Sequence, residues 1–141
     1  MTPDELRLVQ ASFTVALERI DELTERFYDG LFDLAPELRE LFAQDLTTQR
    51  SKLAEQLVAI VGALGVLDDL VHLTAPLGAR HAGYGVKAHH YELVREALLG
   101  ALGDVLDDDW SRDAQEAWGR AYDLVAETMM LGAASGTTRS D

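Results

Sequence analysis

The stretch LGARHAGYGVKAHHY, from Leu77 to Tyr91, decides how the rest of the chain can fold. Leu73, Leu77 and His81 recur every four residues, so a helix that carries them presents all three from one face. Two glycines follow within four residues of the histidine and favour a helix end and an abrupt turn, after which a new helical pattern begins. The spacing therefore predicts that the His81 imidazole lies at a corner between two helices and faces whatever the helices enclose.

Apolar residues recur at helical spacing along most of the chain. The pattern predicts about seven helices of unequal length, and the last of them begins after a cap at Asp109 or Ser111. No window sustains the two-residue alternation that is typical of strands. The predicted class is all-α, and the unequal lengths favour an orthogonal arrangement over an up-down bundle of four equal helices. Residues 132–141 are small and polar, which predicts a flexible tail after a domain that spans 1–131.

Two of the prolines predict short helices, because a proline in the first turn loses no helical hydrogen bond. Pro36 opens a helix that ends at Phe42. Pro76 lies where the first turn of another helix would be, and Thr74 can cap that helix with its hydroxyl. This second short helix is the one that we expect to end at His81.

The composition excludes several classes of function. The 141 residues include 12 basic and 25 acidic ones, and the resulting net charge of −13 repels nucleic acids and anionic membranes. The chain contains no cysteine, so disulfides and thiolate metal sites are excluded. Neither a signal peptide nor an apolar run of membrane-spanning length is visible, so we expect a cytoplasmic protein.

Three motifs occur in an order that identifies a family. They are FYxxLFxxxPxLRxLF from Phe27 to Phe42, RHxxYGVxxxHY from Arg80 to Tyr91, and AWGRAY from Ala117 to Tyr122. Together they resemble the bacterial globins, specifically the single-domain haemoglobins of the Vitreoscilla type and the haem domain of flavohaemoglobins. The resemblance covers nearly the whole chain. It implies a globin fold, with helices A, B, C, E, F, G and H packed around one haem.

The resemblance assigns a role to His81 and to its surroundings. It makes His81 the proximal ligand of the iron in haem b. Val86 and Tyr91 would line the proximal side, and Leu77 would also contact the haem. Phe42 would pack on the face of the porphyrin. A neutral imidazole suits this role, provided that its other nitrogen donates a hydrogen bond that fixes the ring.

The same resemblance implies a distal pocket for a gas ligand. Tyr28 and Gln49 would lie on the distal side, where they can hydrogen-bond dioxygen, and Leu53 would form an apolar wall. Leu57 would be a further haem contact. Lys52 would lie at the rim, within reach of a haem propionate.

The end of the last helix departs from the family pattern. Flavohaemoglobins have a glutamate there that bonds a tyrosine corresponding to Tyr91 and supports the proximal histidine. The matching position in this chain, fifteen residues after Trp118, is Ala133. Glu127 is present but would project from another side of the helix. The departure argues against efficient peroxidase or nitric oxide dioxygenase chemistry.

The leading functional prediction is reversible binding of dioxygen, for transport or storage. The alternatives are a nitric oxide dioxygenase and a haem-based gas sensor; carbon monoxide is a further ligand to consider. The dioxygenase would need a separate reductase, because we expect no flavin or nicotinamide domain within a chain that ends at Asp141. The protein would be a monomer or a homodimer.

Each assignment also has a purely structural alternative. His81 could be a helix-end histidine that binds no metal, Tyr28 a core tyrosine, and Gln49 a solvated side chain. Under that reading the chain is a haem-free helical interaction protein. The remaining histidines, His72, His89 and His90, are interpreted as ordinary capping or surface residues.

Overall fold

The computed structural model describes residues 1–139, with side chains for residues 1–134. Within that part the chain forms helices joined by short connections and has no strand, which confirms the all-α class. The six α-helices are α1 (Pro3–Leu17), α2 (Ile20–Leu34), α3 (Thr47–Ala63), α4 (Leu67–Gly83), α5 (Ala88–Leu106) and α6 (Arg112–Arg139). Two 3-10 helices, Pro36–Leu41 and Asp107–Asp109, follow α2 and α5.

The first and last helices begin at capping residues that the sequence indicates. Thr2 caps α1, because its hydroxyl accepts a hydrogen bond from the Glu5 amide at 3.1 Å and the Glu5 carboxylate accepts one from the Thr2 amide at 2.9 Å. Of the two predicted caps for the last helix, Ser111 is the one used, since its hydroxyl accepts from the Ala114 amide at 3.0 Å.

The prediction of a short helix capped by Thr74 is wrong. Helix α4 is continuous from Leu67 to Gly83 and contains Pro76 in its interior. The proline leaves the carbonyl of His72 without its helical donor, but both residues are exposed, so water can reach that carbonyl. The Thr74 side chain is fully buried and donates to the hydroxyl of Thr128 at 2.6 Å instead of capping a helix.

The core lies where α1, α2, α5 and α6 pack together, with α4 held closely against α6. The largest side chains that are completely buried are Leu23, Leu70, Leu102, Val9 and Thr74. Trp118 of α6 packs against Phe13 of α1, with ring centroids 6.1 Å apart, and its indole N–H donates to Ser12 at 2.8 Å. Because α4 packs against α6, this packing also fixes the position of the end of α4 that carries His81.

Helix α6 continues past the predicted domain boundary at residue 131. It extends to Arg139, and Gly132 is buried against α4. The tail that the sequence predicts from 132 therefore begins inside a helix, and its last two residues lie outside the described ones. The domain boundary itself stays a prediction. In the described part of the chain, no helix is long and apolar enough to cross a membrane.

Candidate functional site

His81 lies two residues before the end of α4 and is half-buried. Its Nδ1 atom is 2.6 Å from the carbonyl oxygen of Leu77, one helical turn earlier. A carbonyl can only accept a hydrogen bond, so Nδ1 carries the proton, and in the neutral ring Nε2 keeps its lone pair. The imidazole is thus oriented by the backbone, with Nε2 available to bind a metal ion.

The chain turns sharply directly after His81. The amide groups of Tyr84 and Val86 both donate to the His81 carbonyl, at 3.0 and 3.1 Å, and so close the turn on the end of α4. Gly85 adopts φ +88°, a conformation that favours glycine. Helix α5 then begins at Ala88, and His90 caps it by accepting from the Lys87 amide at 2.9 Å. This turn is the predicted corner.

Tyr91 lies on the first turns of α5 and is tied to α6 through its backbone. Its carbonyl accepts a hydrogen bond of 2.6 Å from the hydroxyl of Tyr122. Burial raises the pKa of both tyrosines above the ordinary value. Among the described residues no carboxylate bonds the Tyr91 hydroxyl, and Glu127 is exposed. The supporting acid of the flavohaemoglobin pattern is therefore not supplied by Glu127.

The Tyr28 side chain is buried within a cluster of aromatic rings. Its ring centroid lies 5.0 Å from Phe27, 5.9 Å from Phe32 and 5.6 Å from Phe42. Burial raises the pKa of Tyr28, and a hydrogen bond with the Gln49 side chain offsets only part of that rise. The hydroxyl thus stays protonated at neutral pH and can donate. Phe32 belongs to the motif from Phe27 to Phe42 but was assigned no role in the pocket, although its spacing of four from Tyr28 on α2 is a usable signal.

Phe42 directly follows the first 3-10 helix and is held in place by Arg39. The Arg39 guanidinium donates to the carbonyl groups of Ala43 and Gln44, both at 2.9 Å, and lies 5.2 Å above the ring of Phe32. The rings of Phe32 and Phe42 are 5.5 Å apart. Arg39 belongs to the motif from Phe27 to Phe42 but was given no role, because its hydrogen bonds to carbonyl groups of the following loop depend on how that loop folds.

Helix α3 carries the other predicted pocket residues. Leu57 is buried, Leu53 is half-buried, and Lys52 is exposed, as a residue at a rim would be. Gln56, seven residues after Gln49 and so on the same face, was not predicted. Its Oε1 atom is buried without a hydrogen-bond partner among the described residues. A buried polar atom of this kind usually has a partner, so this acceptor can take a hydrogen bond from a further polar group.

The predicted site residues form two groups on different helices. Tyr28, Phe42 and Gln49 meet on one side, and His81 with its neighbours forms the other; no hydrogen bond or ring contact of the described residues joins the two groups. The described residues also include no group of three or more His, Cys, Asp or Glu that could hold a metal ion. A lone imidazole among apolar and aromatic side chains suits a metal that arrives with its own ligands, as iron does in haem.

Comparison with known proteins identifies what this arrangement is similar to. The family model described as Globin matches residues 25–129. A protein named "Uncharacterized globin-like protein" from Aquifex aeolicus is 31% identical over 130 residues, which cover 92% of each chain. The flavohemoprotein of Bacillus subtilis is 30% identical over 89% of this chain and 32% of its own length, and that of Bordetella pertussis is 31% identical over 92% and 33%. The chain thus spans about a third of the flavohemoproteins that it matches.

Proposed function

This chain belongs to the globin family, and on that premise we propose that it holds haem b through His81 and binds dioxygen reversibly. Family membership and the flavohemoprotein relatives support haem binding in general. The observation that carries the choice of dioxygen is the buried Tyr28 hydroxyl beside Gln49, because a protonated donor in an apolar pocket favours a ligand that gains negative charge.

The proximal side would be provided by α4 and the corner after it. The hydrogen bond from Nδ1 of His81 to the Leu77 carbonyl fixes the ring, so that Nε2 would be the atom that holds the iron. Leu77, which is buried, and Val86 and Tyr91, which are half-buried, would line the proximal side. Haem, when bound, supplies the ferrous iron that takes a gas ligand.

The distal side would be provided by α2, α3 and the loop after the first 3-10 helix. With haem bound, the Tyr28 hydroxyl would donate a hydrogen bond to the gas ligand, and the Gln49 side chain would lie beside that hydroxyl. Phe42, Leu53 and Leu57 exclude water, which would otherwise compete for these hydrogen bonds.

Replacement of Tyr28 by phenylalanine tests the choice of ligand. A hydrogen bond to a charged partner contributes about 1.5–3 kcal/mol, so Tyr28→Phe should speed dioxygen release by roughly 10- to 100-fold. Stopped-flow displacement of dioxygen by carbon monoxide measures that rate. Tyr84→Phe is the matched control, because Tyr84 is 67% exposed. Equal release rates in wild type and Tyr28→Phe would contradict the assignment.

A second candidate, a nitric oxide dioxygenase that receives electrons from a separate reductase, is favoured by the similarity to flavohemoproteins. The exposed Glu127 argues against it, because the proximal histidine then lacks the support of that carboxylate. Mixing the oxygenated protein with excess nitric oxide and a flavin reductase separates the two functions. A carrier converts one equivalent to nitrate, whereas sustained nitrate production would establish the enzyme.

A further inference from the structure

Helices α4 and α6 touch backbone to backbone at two glycines. A Cβ atom at Gly78 would overlap the carbonyl of Met129, and one at Gly132 would overlap the carbonyl of Ala75. The overlapped atoms belong to the backbone, so no side-chain rotation can make room for a methyl group. The two helices can be this close only because both positions are glycine.

A buried hydrogen bond sets the alignment of the two helices at the same contact. The Thr74 hydroxyl of α4 donates to Thr128 Oγ1 of α6 at 2.6 Å, and the Thr128 hydroxyl donates to the Val125 carbonyl at 2.8 Å. Thr74 is 0% exposed and Thr128 is 4% exposed. The Thr74 hydroxyl also lies 2.8 Å from the Leu70 carbonyl of its own helix, so both hydroxyls keep an acceptor if the helices slide, and what sliding costs is the hydrogen bond between them.

This contact lies on the face of α4 that leads to His81. Thr74, Gly78 and His81 follow each other at spacings of four and three, which places them along one side of the helix. Leu77, whose carbonyl accepts the hydrogen bond from His81 Nδ1, is the residue directly before Gly78. A displacement of the backbone at Gly78 therefore moves the acceptor that orients the imidazole.

We propose that Gly78 is a positioning residue for the proximal ligand: its contact with Met129, aligned by Thr74 and Thr128, fixes the Leu77 carbonyl and so the orientation of His81. This inference rests on the proposed role of His81 as the haem ligand. The proposal adds that backbone contact with α6 determines the strength and orientation of the bond from histidine to iron. The carboxylate expected near Tyr91 for this purpose is not supplied by Glu127.

The test compares haem-loaded wild type, Gly78→Ala and Gly100→Ala. Gly100 is an exposed glycine inside α5, and a Cβ there meets nothing within 4 Å, so Gly100→Ala controls for the substitution itself. Resonance Raman spectra of the ferrous, gas-free proteins report the iron–histidine stretching band. Transfer of haem to an excess of apomyoglobin reports the rate of haem loss.

In Gly78→Ala, we expect the band to shift to lower wavenumber, because a weaker hydrogen bond from Nδ1 makes the imidazole a weaker donor to iron. Haem loss should be roughly 10-fold faster. This is the lower limit of the loss of metal affinity that follows when the hydrogen-bond partner of a metal ligand is disturbed. Gly100→Ala should match wild type in both measurements. An unchanged band in a folded Gly78→Ala protein would overturn the proposal.

Thr128→Val covers the case in which Gly78→Ala does not fold. It removes the hydrogen bond between the two helices without adding bulk between the backbones, while the Thr74 hydroxyl keeps the Leu70 carbonyl as an acceptor, so it should shift the same band in the same direction by a smaller amount. An unshifted band in Thr128→Val would count against the proposal. Failure of the proposed function looks different: wild type itself would then show no iron–histidine band, or His81→Gly would retain it.

Discussion

The two sides of the candidate site are built from different materials. The distal side consists of side chains, in which the rings of Tyr28, Phe32 and Phe42 pack together and the Gln49 side chain lies beside the tyrosine. The proximal side consists mainly of backbone. There the Leu77 carbonyl orients His81, and α4 is held against the backbone of α6.

This difference predicts which substitutions each side tolerates. Side chains that pack at a half-exposed edge can be exchanged and can repack, so the distal side can change its ligand preference at little cost to the fold. A contact between two backbones cannot adjust to even one methyl group. We therefore expect distal substitutions to change ligand kinetics, and substitutions at the α4–α6 contact to change stability as well as the histidine.

The largest expected effect on stability is at the α4–α6 contact, and it distinguishes the proximal side from the distal side. In Gly132→Ala, overpacking against Ala75 costs about 1–3 kcal/mol, and the better helix propensity of alanine returns about 1 kcal/mol, so the net loss should be up to about 2 kcal/mol. Phe42→Leu on the distal side should cost less than about 1.5 kcal/mol although it removes several atoms.

Urea unfolding of the purified proteins measures these free energies, with Gly100→Ala as the control. Because Gly100 is exposed inside a helix with open space around it, the same substitution there should raise the free energy of unfolding by about 0.5–1 kcal/mol. A Gly132→Ala protein that is as stable as Gly100→Ala would show that the backbone contact does not restrict the proximal side.

A smaller effect is expected from the tyrosine that ties α6 to α5. Tyr122→Phe removes the donor to the Tyr91 carbonyl and should cost about 1 kcal/mol at neutral pH. Burial raises the pKa of Tyr122, so the unfolded chain loses its proton near pH 10 while the folded protein keeps it. The stabilisation is thus complete below about pH 10 and is lost as the pH rises further.

Urea unfolding across pH 8 to 11 tests this second effect. Wild type should lose stability more steeply than Tyr122→Phe above about pH 10, since the variant has one buried hydroxyl fewer to ionise. Tyr84→Phe, at an exposed position, should follow wild type. Identical pH profiles for wild type and Tyr122→Phe would contradict the burial of the Tyr122 hydroxyl.

Local patterns in the sequence were sufficient for most of the helices but not for the contacts between them. Ser111 and the corner after His81 were predictable, because caps and glycine turns act within a few residues. The role of Thr74 was predicted wrongly, since its partner Thr128 is 54 residues away and nothing near Thr74 indicates it. Pro76 was therefore interpreted as a helix start. It lies inside α4 instead, because the carbonyl that it leaves without a helical donor is exposed to water.

The candidate site shows the same division. His81, Tyr28 and Phe42 follow from motifs, because each family pattern keeps a residue type at a defined spacing. Gly78 carried no such signal, since a glycine inside a helix has meaning only when the neighbouring helix is known. Its importance became visible only from the position of the Met129 carbonyl.

The most direct test of the central claim is the ferrous absorption and resonance Raman spectrum of His81→Gly, recorded without and with added imidazole. The substitution removes the only side chain proposed to bind the iron from the proximal side. We predict that the iron–histidine band disappears, that haem is lost more readily, and that imidazole restores a spectrum close to that of wild type. A wild-type spectrum of His81→Gly in the absence of imidazole would contradict the assignment of His81 as the proximal ligand.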